Sequence, residues 1–251
     1  MSTVMITGAG SGFGRAAAIE LAARGHEVIA TTATDAQAAE LSGAEPQLTV
    51  HKLDITNPAD CESARGWEVD VLIDNAGVGQ LGTLLQVPLD RVRQVFEVNV
   101  FGTLAITQVV AAGMVERRSG RIIIVSSIAG MLAGAASGPY SMSKHALQAL
   151  GGVLRAELEV YGVDVCLLNP GPFATGFNDA MANEPGEWFA ATGEAEHEML
   201  ASLKQLITQG QLDPAQVATT MADLAEAETT ELQNLVPPDI FELIGLGGGS
   251  R

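Results

Sequence analysis

The sequence predicts an α/β fold in which a doubly wound parallel sheet of about seven strands carries helices on both faces. Three observations predict it. Short apolar, β-branched runs alternate with helix-length segments along most of the chain. The runs are apolar throughout rather than at every second residue, as strands covered on both faces require. The first run passes directly into a glycine-rich turn and then a helix.

The elements follow in order. Strands are expected at residues 4–7, 27–31, 48–53, 69–73, 121–126, 163–169 and, more weakly, 232–236. Helices are expected at 13–24, 35–41, 89–115, 139–161 and 214–227, with only a stub at 59–64. The link between the third and fourth strands is therefore compressed to a turn or two of helix. Residues 173–211 break the alternation and carry Phe173, Phe177, Met181, Trp188, Phe189 and Met199. An insertion of that length in a compact domain reads as a substrate lid, or as a segment whose large side chains only pack it onto the domain. The whole chain, 1–251, reads as one domain, with residues 245–250 a frayed tail.

Composition excludes several classes. Thirty acidic against thirteen basic residues give a net charge of −17, which repels phosphate backbones and anionic membranes. Neither a nucleic-acid nor a membrane partner is expected. No basic leader is visible, and the most apolar candidate span, residues 98–114, is interrupted by Asn99, Thr103, Thr107 and Gln108. The expectation is a cytoplasmic protein. Cys61 and Cys166 lie far apart and His26, His51, His145 and His197 form no ligand spacing, so neither a disulfide nor a metal site is expected.

Two motifs carry chemistry. The first strand runs into Thr7-Gly8-Ala9-Gly10-Ser11-Gly12-Phe13-Gly14 and a helix. Glycines let the backbone approach a pyrophosphate, and the helix start offers free N–H groups. With 28 glycines in the chain, three at fixed offsets arise by chance about 0.3 times, so the motif is weak alone. Its place between the first strand and first helix is what gives it weight. The second motif is Tyr140 and Lys144, four residues apart at the start of a long helix and so on one face of it. Two tyrosines and three lysines make such a pair by chance only about 0.02 times. An ammonium beside a phenol is expected to lower the phenol's pKa, and a hydroxyl that gives a proton to a carbonyl oxygen is a general acid. Ser126 and Ser127 end an apolar strand at the sheet's carboxyl edge, where open α/β folds bind ligands.

With these residues in view the chain resembles the short-chain dehydrogenase/reductase family, a Rossmann-type group with a TGxxxGxG turn and a YxxxK pair. The matching motifs run in order through Thr7–Gly14, Asp54, Asn75-Ala76-Gly77, Asn99, Ser127, Tyr140 with Lys144, and Asn169-Pro170-Gly171 with Thr175. Ser127 stands thirteen residues before Tyr140, the family's usual gap, and is preferred to Ser126 on that ground. The details are similar to the branch holding hydroxysteroid and retinol dehydrogenases. The resemblance implies a hydride transfer between a nicotinamide dinucleotide and a ketone, aldehyde or secondary alcohol. It implies that Ser127 hydrogen-bonds the substrate oxygen, Tyr140 exchanges the proton, and Lys144 lowers the tyrosine pKa while binding the nicotinamide ribose. It further implies that Asn99 holds a relay water and that Asp54, with Ile55 beside it, meets the adenine. Gly8, Ser11, Gly12, Phe13, Gly14, Thr32, Asn75, Ala76 and Gly77 would line the dinucleotide, and Pro170, Gly171 and Thr175 its carboxamide. Asp74 replaces the asparagine usual before Asn75-Ala76-Gly77, which puts one sheet-stabilising contact in doubt.

Cofactor choice turns on the ribose 2′ position. Thr32 falls where the family usually has an acid, and Ala33 and Ser11 where it has basic residues. Neither hallmark is present, and a 2′-phosphate would lack a basic partner, so NAD is expected over NADP. The substrate is expected to be an apolar or aromatic ketone or secondary alcohol. Gly151 and Gly152 inside the long helix need a packing reason, against the sheet or against a second subunit. The resemblance favours the subunit, and a homodimer or homotetramer. The alternative function is a non-catalytic, dinucleotide-sensing regulator of the same fold, which would show a damaged Ser/Tyr/Lys set.

Overall fold

The computed structural model describes residues 1–183 and 193–245. In chain order the elements are β1 (Thr3–Ile6), α1 (Gly12–Ala23), β2 (Glu27–Thr32), α2 (Asp35–Ala44), β3 (Thr49–Lys52), α3 (Pro58–Ser63) and β4 (Val71–Asp74). They continue through α4 (Leu89–Phe96), a π turn (Glu97–Gly102), α5 (Thr103–Arg117), β5 (Gly120–Val125), a 3₁₀ turn (Ile128–Gly130), α6 (Gly138–Leu158) and β6 (Val163–Pro170). The last are α7 (Phe177–Asn183), α8 (Glu194–Thr208), α9 (Ala215–Glu226), β7 (Gln233–Val236) and α10 (Ile240–Leu243).

The seven strands form one sheet in the order β3-β2-β1-β4-β5-β6-β7, and every pairing is parallel. Parallel neighbours need crossover helices, and the apolar strands demand cover on both faces. One face packs α1 and α9 on the sheet through Ala17, Leu21, Val217 and Met221; the other packs α5 and α6 through Ile106, Val110, Met114 and Leu147. The order reverses between β1 and β4, so the carboxyl ends of those strands splay apart and leave a crevice.

Local chemistry explains the starts and stops. Thr34 caps α2 by accepting from the Gln37 N–H, and Asn57 caps α3, which opens on Pro58. Gly162 closes the turn after α6 at φ 71°, in the left-handed region that favours glycine. The segment expected as one helix at 89–115 is instead two α-helices joined by the π turn that carries Asn99. From Leu89 to Arg117 it is long and apolar enough to cross a membrane by length and composition, and 44% of that window is buried.

Gly151 has its packing reason in the sheet. A Cβ there would stand 2.8 Å from the Leu167 side chain on β6, so the glycine lets α6 settle onto the strand. Gly152 faces open space, with no described residue within 4 Å of such a Cβ. Asp74 is buried at the end of β4 and pairs its Oδ2 with the Thr107 hydroxyl of α5 at 2.7 Å. The doubtful contact is thus replaced by a carboxyl–hydroxyl pair, with Oδ1 left without a partner among the described residues.

Residues 173–211 contain α7 and α8. Met181 and Leu200 from these helices join Leu81 and Ala136 in a third apolar cluster, with Tyr140, Phe177, Leu203 and Ile207 against it. Trp188, Phe189 and the tail beyond Gly245 lie outside the described residues.

Candidate active site

A cleft of about 1230 Å³ runs along the carboxyl ends of the strands, from Thr32 and Asp54 at one end to Tyr140 and Phe177 at the other. That exceeds the volume of a typical small-ligand pocket and accommodates a dinucleotide with a substrate beside it.

The glycine turn is shaped by close approach. A Cβ on Gly14 would stand 2.5 Å from Asn75 Nδ2 and 2.6 Å from the Gly8 carbonyl, and one on Gly8 would stand 2.7 Å from Ala76 Cα. Asn75 stitches the turn to the end of β4: its Nδ2 donates to the Thr7 and Gly8 carbonyls, while Thr7 Oγ1 accepts from the Asn75 and Ala76 N–H groups. Ser11 is the N-cap of α1 yet makes no side-chain cap bond, so the α1 N-terminus retains donors for an anion. Gly8, Ser11, Gly12, Phe13, Asn75, Ala76 and Gly77 all line the cleft; Gly14 lies beneath the turn.

At the adenosine end, Thr32, Asp54 and Ile55 line the cleft as expected. Asp54 Oδ1 accepts from Thr56 N and Oγ1, which fixes the carboxylate. The Thr32 hydroxyl donates to the Thr34 carbonyl at 3.2 Å. Gln37, which sequence reasoning missed, lies beside Gly10 and borders this end. Its signal was available only as the third residue of a capped helix. Arg15 points away, toward Glu45 at 3.3 Å and Glu40 at 3.7 Å.

The other end gathers Ser127, Tyr140, Lys144, Pro170, Gly171 and Thr175. Ser127 caps the 3₁₀ turn by accepting from the Ala129 N–H at 3.1 Å and hydrogen-bonds the Tyr140 phenol. Ser126 turns the other way, its hydroxyl donating to the Lys144 carbonyl. Lys144 Nζ donates to the Val125 carbonyl at 2.8 Å and lies 5.7 Å from the Tyr140 ring centre.

Burial governs both groups. It pushes the Tyr140 phenol up to about 12, against the opposing effect of the Ser127 hydrogen bond. It pulls the Lys144 ammonium down to about 7. Desolvation is the largest effect on the phenol in the cofactor-free chain, and the phenol holds its proton at neutral pH. That is the protonation state an acid needs in carbonyl reduction.

Asn99 does not line the cleft. Its carboxamide accepts from Val78 N at 2.8 Å and donates to the Val78 carbonyl and to Ser143 Oγ. Both amide protons are committed, and the side chain pins the strand exit after Gly77 to α6.

The fold and this cleft define a nicotinamide-dependent oxidoreductase. A family model described as short chain dehydrogenase matches residues 2–186, and the chain belongs to that family. It is 33% identical over 223 residues to an NADPH-dependent 3-dehydrocapnine reductase of Ornithobacterium rhinotracheale, covering 79% of this chain and 78% of that protein. It is 34% identical over 203 residues to retinol dehydrogenase 8 of Homo sapiens, covering 73% of this chain but only 65% of that longer protein. Among solved structures it is similar to a short-chain dehydrogenase/reductase of Burkholderia phymatum in complex with NAD. The TM-score is 0.80 at 29% identity, with 98% of this chain and 92% of the other covered. None of these relatives supports the regulatory alternative.

Proposed function

We propose that this chain interconverts an apolar or aromatic ketone and its secondary alcohol, with Tyr140 as acid and base, Ser127 holding the substrate oxygen and Lys144 beside the phenol. The observation that carries this reading is the position of Tyr140. Its ring packs 5.8 Å from Phe177 at the edge of the α7–α8 cluster while its hydroxyl meets Ser127. A substrate carbonyl at that point would lie against apolar side chains with both hydroxyls at its oxygen. Residues 173–211 act in this reading as the lid over it.

The nicotinamide dinucleotide supplies the hydride or accepts it. Asp54 and Thr32 would hold the adenosine, the Gly8–Gly14 turn the pyrophosphate, and Pro170, Gly171 and Thr175 the carboxamide. The glycine cradle that a Cβ would fill, and the donors left free at the start of α1, fit that group. In reduction the Tyr140 phenol gives its proton to the substrate oxygen, and in oxidation it takes one back. A relay water, if Asn99 holds one, would sit on its carbonyl oxygens rather than on its amide protons.

NAD is the preferred cofactor in this reading. Arg15, the nearest cation in sequence, is engaged by Glu40 and Glu45, and Ala33 offers no charge. The relative named as NADPH-dependent and the one solved with NAD show that the family uses both. The chain is also proposed to assemble as a homodimer or homotetramer, with half-buried Gly152 and exposed Val153 on α6 as part of a contact face.

The test is Tyr140→Phe, assayed by absorbance of the reduced nicotinamide against a panel of alcohols and ketones. The variant is expected to fold and bind cofactor yet lose turnover by a factor of about 10³ or more, the upper part of the range for a proton-transferring group. Near-wild-type turnover would end the assignment. A sugar or polyol oxidised faster than every apolar alcohol would end the apolar reading alone.

A further inference from the structure

Behind the catalytic residues, on the far side from the cleft, three amide side chains close a ring. Gln148 of α6 donates from Nε2 to Asn169 Oδ1 at 2.6 Å. Asn169, at the end of β6, donates from Nδ2 to Gln233 Oε1 at 2.7 Å. Gln233 of β7 donates from Nε2 to Gln148 Oε1 at 2.9 Å. The second Nε2 proton of Gln148 goes to Ser126 Oγ at 2.9 Å, and Ser126 passes its own proton to the Lys144 carbonyl. Each bond in this circuit runs in the same sense, so turning any one amide over would set oxygen against oxygen and break at least two bonds. Hydrogen bonds linked head to tail polarise one another, and Asn169 and Ser126 are buried, which raises the cost of leaving either unpaired.

The ring adjoins Ser127, Lys144 and the Pro170-Gly171 turn of the reactive end. Asn169 immediately precedes Pro170 and Gly171. Ser126 immediately precedes Ser127 and grips the main chain of Lys144, whose Nζ is held by the adjoining Val125 carbonyl. A Cβ on Gly130 would stand 2.7 Å from the Lys144 carbonyl, 2.8 Å from Ser126 Oγ and 3.0 Å from Gln148 Nε2. The 3₁₀ turn capped by Ser127 therefore rests directly on the ring's inner corner. The adenosine end, at Thr32 and Asp54, makes no contact with it.

We propose that Gln148 is a positioning residue. Through Asn169 and Ser126 it sets the distance between Ser127, the Lys144 turn of α6 and the Pro170-Gly171 turn, and so aligns the nicotinamide half of the site without touching substrate or cofactor. The proposal rests on the assignment of Ser127, Tyr140 and Lys144 made above.

The experiment uses the full chain with Gln148→Met, which keeps length and helix propensity but removes the amide, with Gln233→Met at the solvent edge of the ring, and with the pair. AMP probes the adenosine half and NAD the whole dinucleotide, each by titration calorimetry, beside kcat and KM. The Gln148→Met variant is expected to bind AMP within about twofold of wild type, while NAD affinity and kcat/KM each fall about tenfold. Gln233→Met should move in the same direction by less, and the double variant should be no worse than Gln148→Met, because both break one circuit. NAD affinity and kcat/KM unchanged in Gln148→Met would overturn the proposal, as would equal losses for AMP and NAD, or additive effects in the pair. Should Gln148→Met not fold, the Gln233→Met split between AMP and NAD decides it. An active Tyr140→Phe would instead sink the catalytic assignment, leaving the binding readout to judge the ring.

Discussion

Replacing Asp74 by asparagine should remove one titration from the core and change how stability depends on pH. The Thr107 hydroxyl has a single proton yet stands 2.7 Å from both Asp74 Oδ2 and the Thr103 carbonyl. Both contacts are hydrogen bonds only if the carboxyl is protonated and donates to Thr107, which then donates to Thr103. Burial raises the Asp74 carboxyl from 3.8 to about 7, in the same sense. The group keeps its proton in the folded chain through a range where the unfolded chain has lost it. Its contribution is therefore full below the unfolded pKa and declines as pH rises through the folded one. At ~1.4 kcal/mol per pH unit, the total is about 4 kcal/mol, of which about 2 kcal/mol is lost between pH 5.5 and 8.5. An asparagine amide donates to Thr107 in the proton's place and does not titrate. Melting temperatures of wild type and Asp74→Asn across pH 5.5 to 8.5 should diverge by about 4–8 °C in favour of the variant at the alkaline end, given ~2–4 °C per kcal/mol for a chain of this size. A difference that stays constant across that range would refute the protonated carboxyl.

Other expected outcomes are simpler to read. In a Tyr161→Phe background Tyr140 is the sole tyrosine, and near-ultraviolet titration of the cofactor-free protein should show tyrosinate only above about pH 11; a midpoint below pH 10 would show that burial does not dominate. Gly14→Ala should abolish NAD binding by calorimetry while the chain still folds, because the added methyl displaces Asn75 from the glycine turn. Gly152→Ala should raise stability in denaturant titration by ~0.5–1 kcal/mol, whereas Gly151→Ala should lower it through collision with Leu167. Ala33→Arg should raise kcat/KM for NADP relative to NAD; a wild-type preference for NADP of tenfold or more would overturn the cofactor assignment.

The fold was legible because its strands are apolar on both faces and its helices start on recognisable caps. All seven expected strands form, most within one or two residues of the observed ends, since a run such as Ile122-Ile123-Ile124 has nowhere to lie but inside a sheet. The break at Glu97–Gly102 was invisible. A π turn inserts one residue per turn without any proline or glycine pair to mark it, and only the tertiary bond from Asn99 to Val78 shows why it is there. The two functions available to Gly151 could not be separated either, because helix periodicity gives a face but not what covers it.

The site was legible where chemistry needs a fixed spacing along one element, and illegible where it depends on elements meeting. Gly8, Gly12 and Gly14 belong to one turn and Tyr140 and Lys144 to one helix face, so geometry follows from sequence distance alone. The choice between Ser126 and Ser127 came from a spacing, and its physical basis is that a strand's successive side chains diverge: one reaches the phenol, the other the back of α6. Gln148, Asn169 and Gln233 had no such relation. They lie on three elements, α6, β6 and β7, and although Asn169 opens a family motif, no spacing relates it to Gln148 or Gln233. What sequence reasoning lacked for them is also what it lacked for the pKa of Tyr140. It saw the neighbouring ammonium, four residues away, but not the burial that bears most on both groups. The lysine itself, pulled down to about 7, is only part charged at neutral pH, so the pair trades a weak ion for a dry pocket in which Ser127 is the phenol's remaining partner.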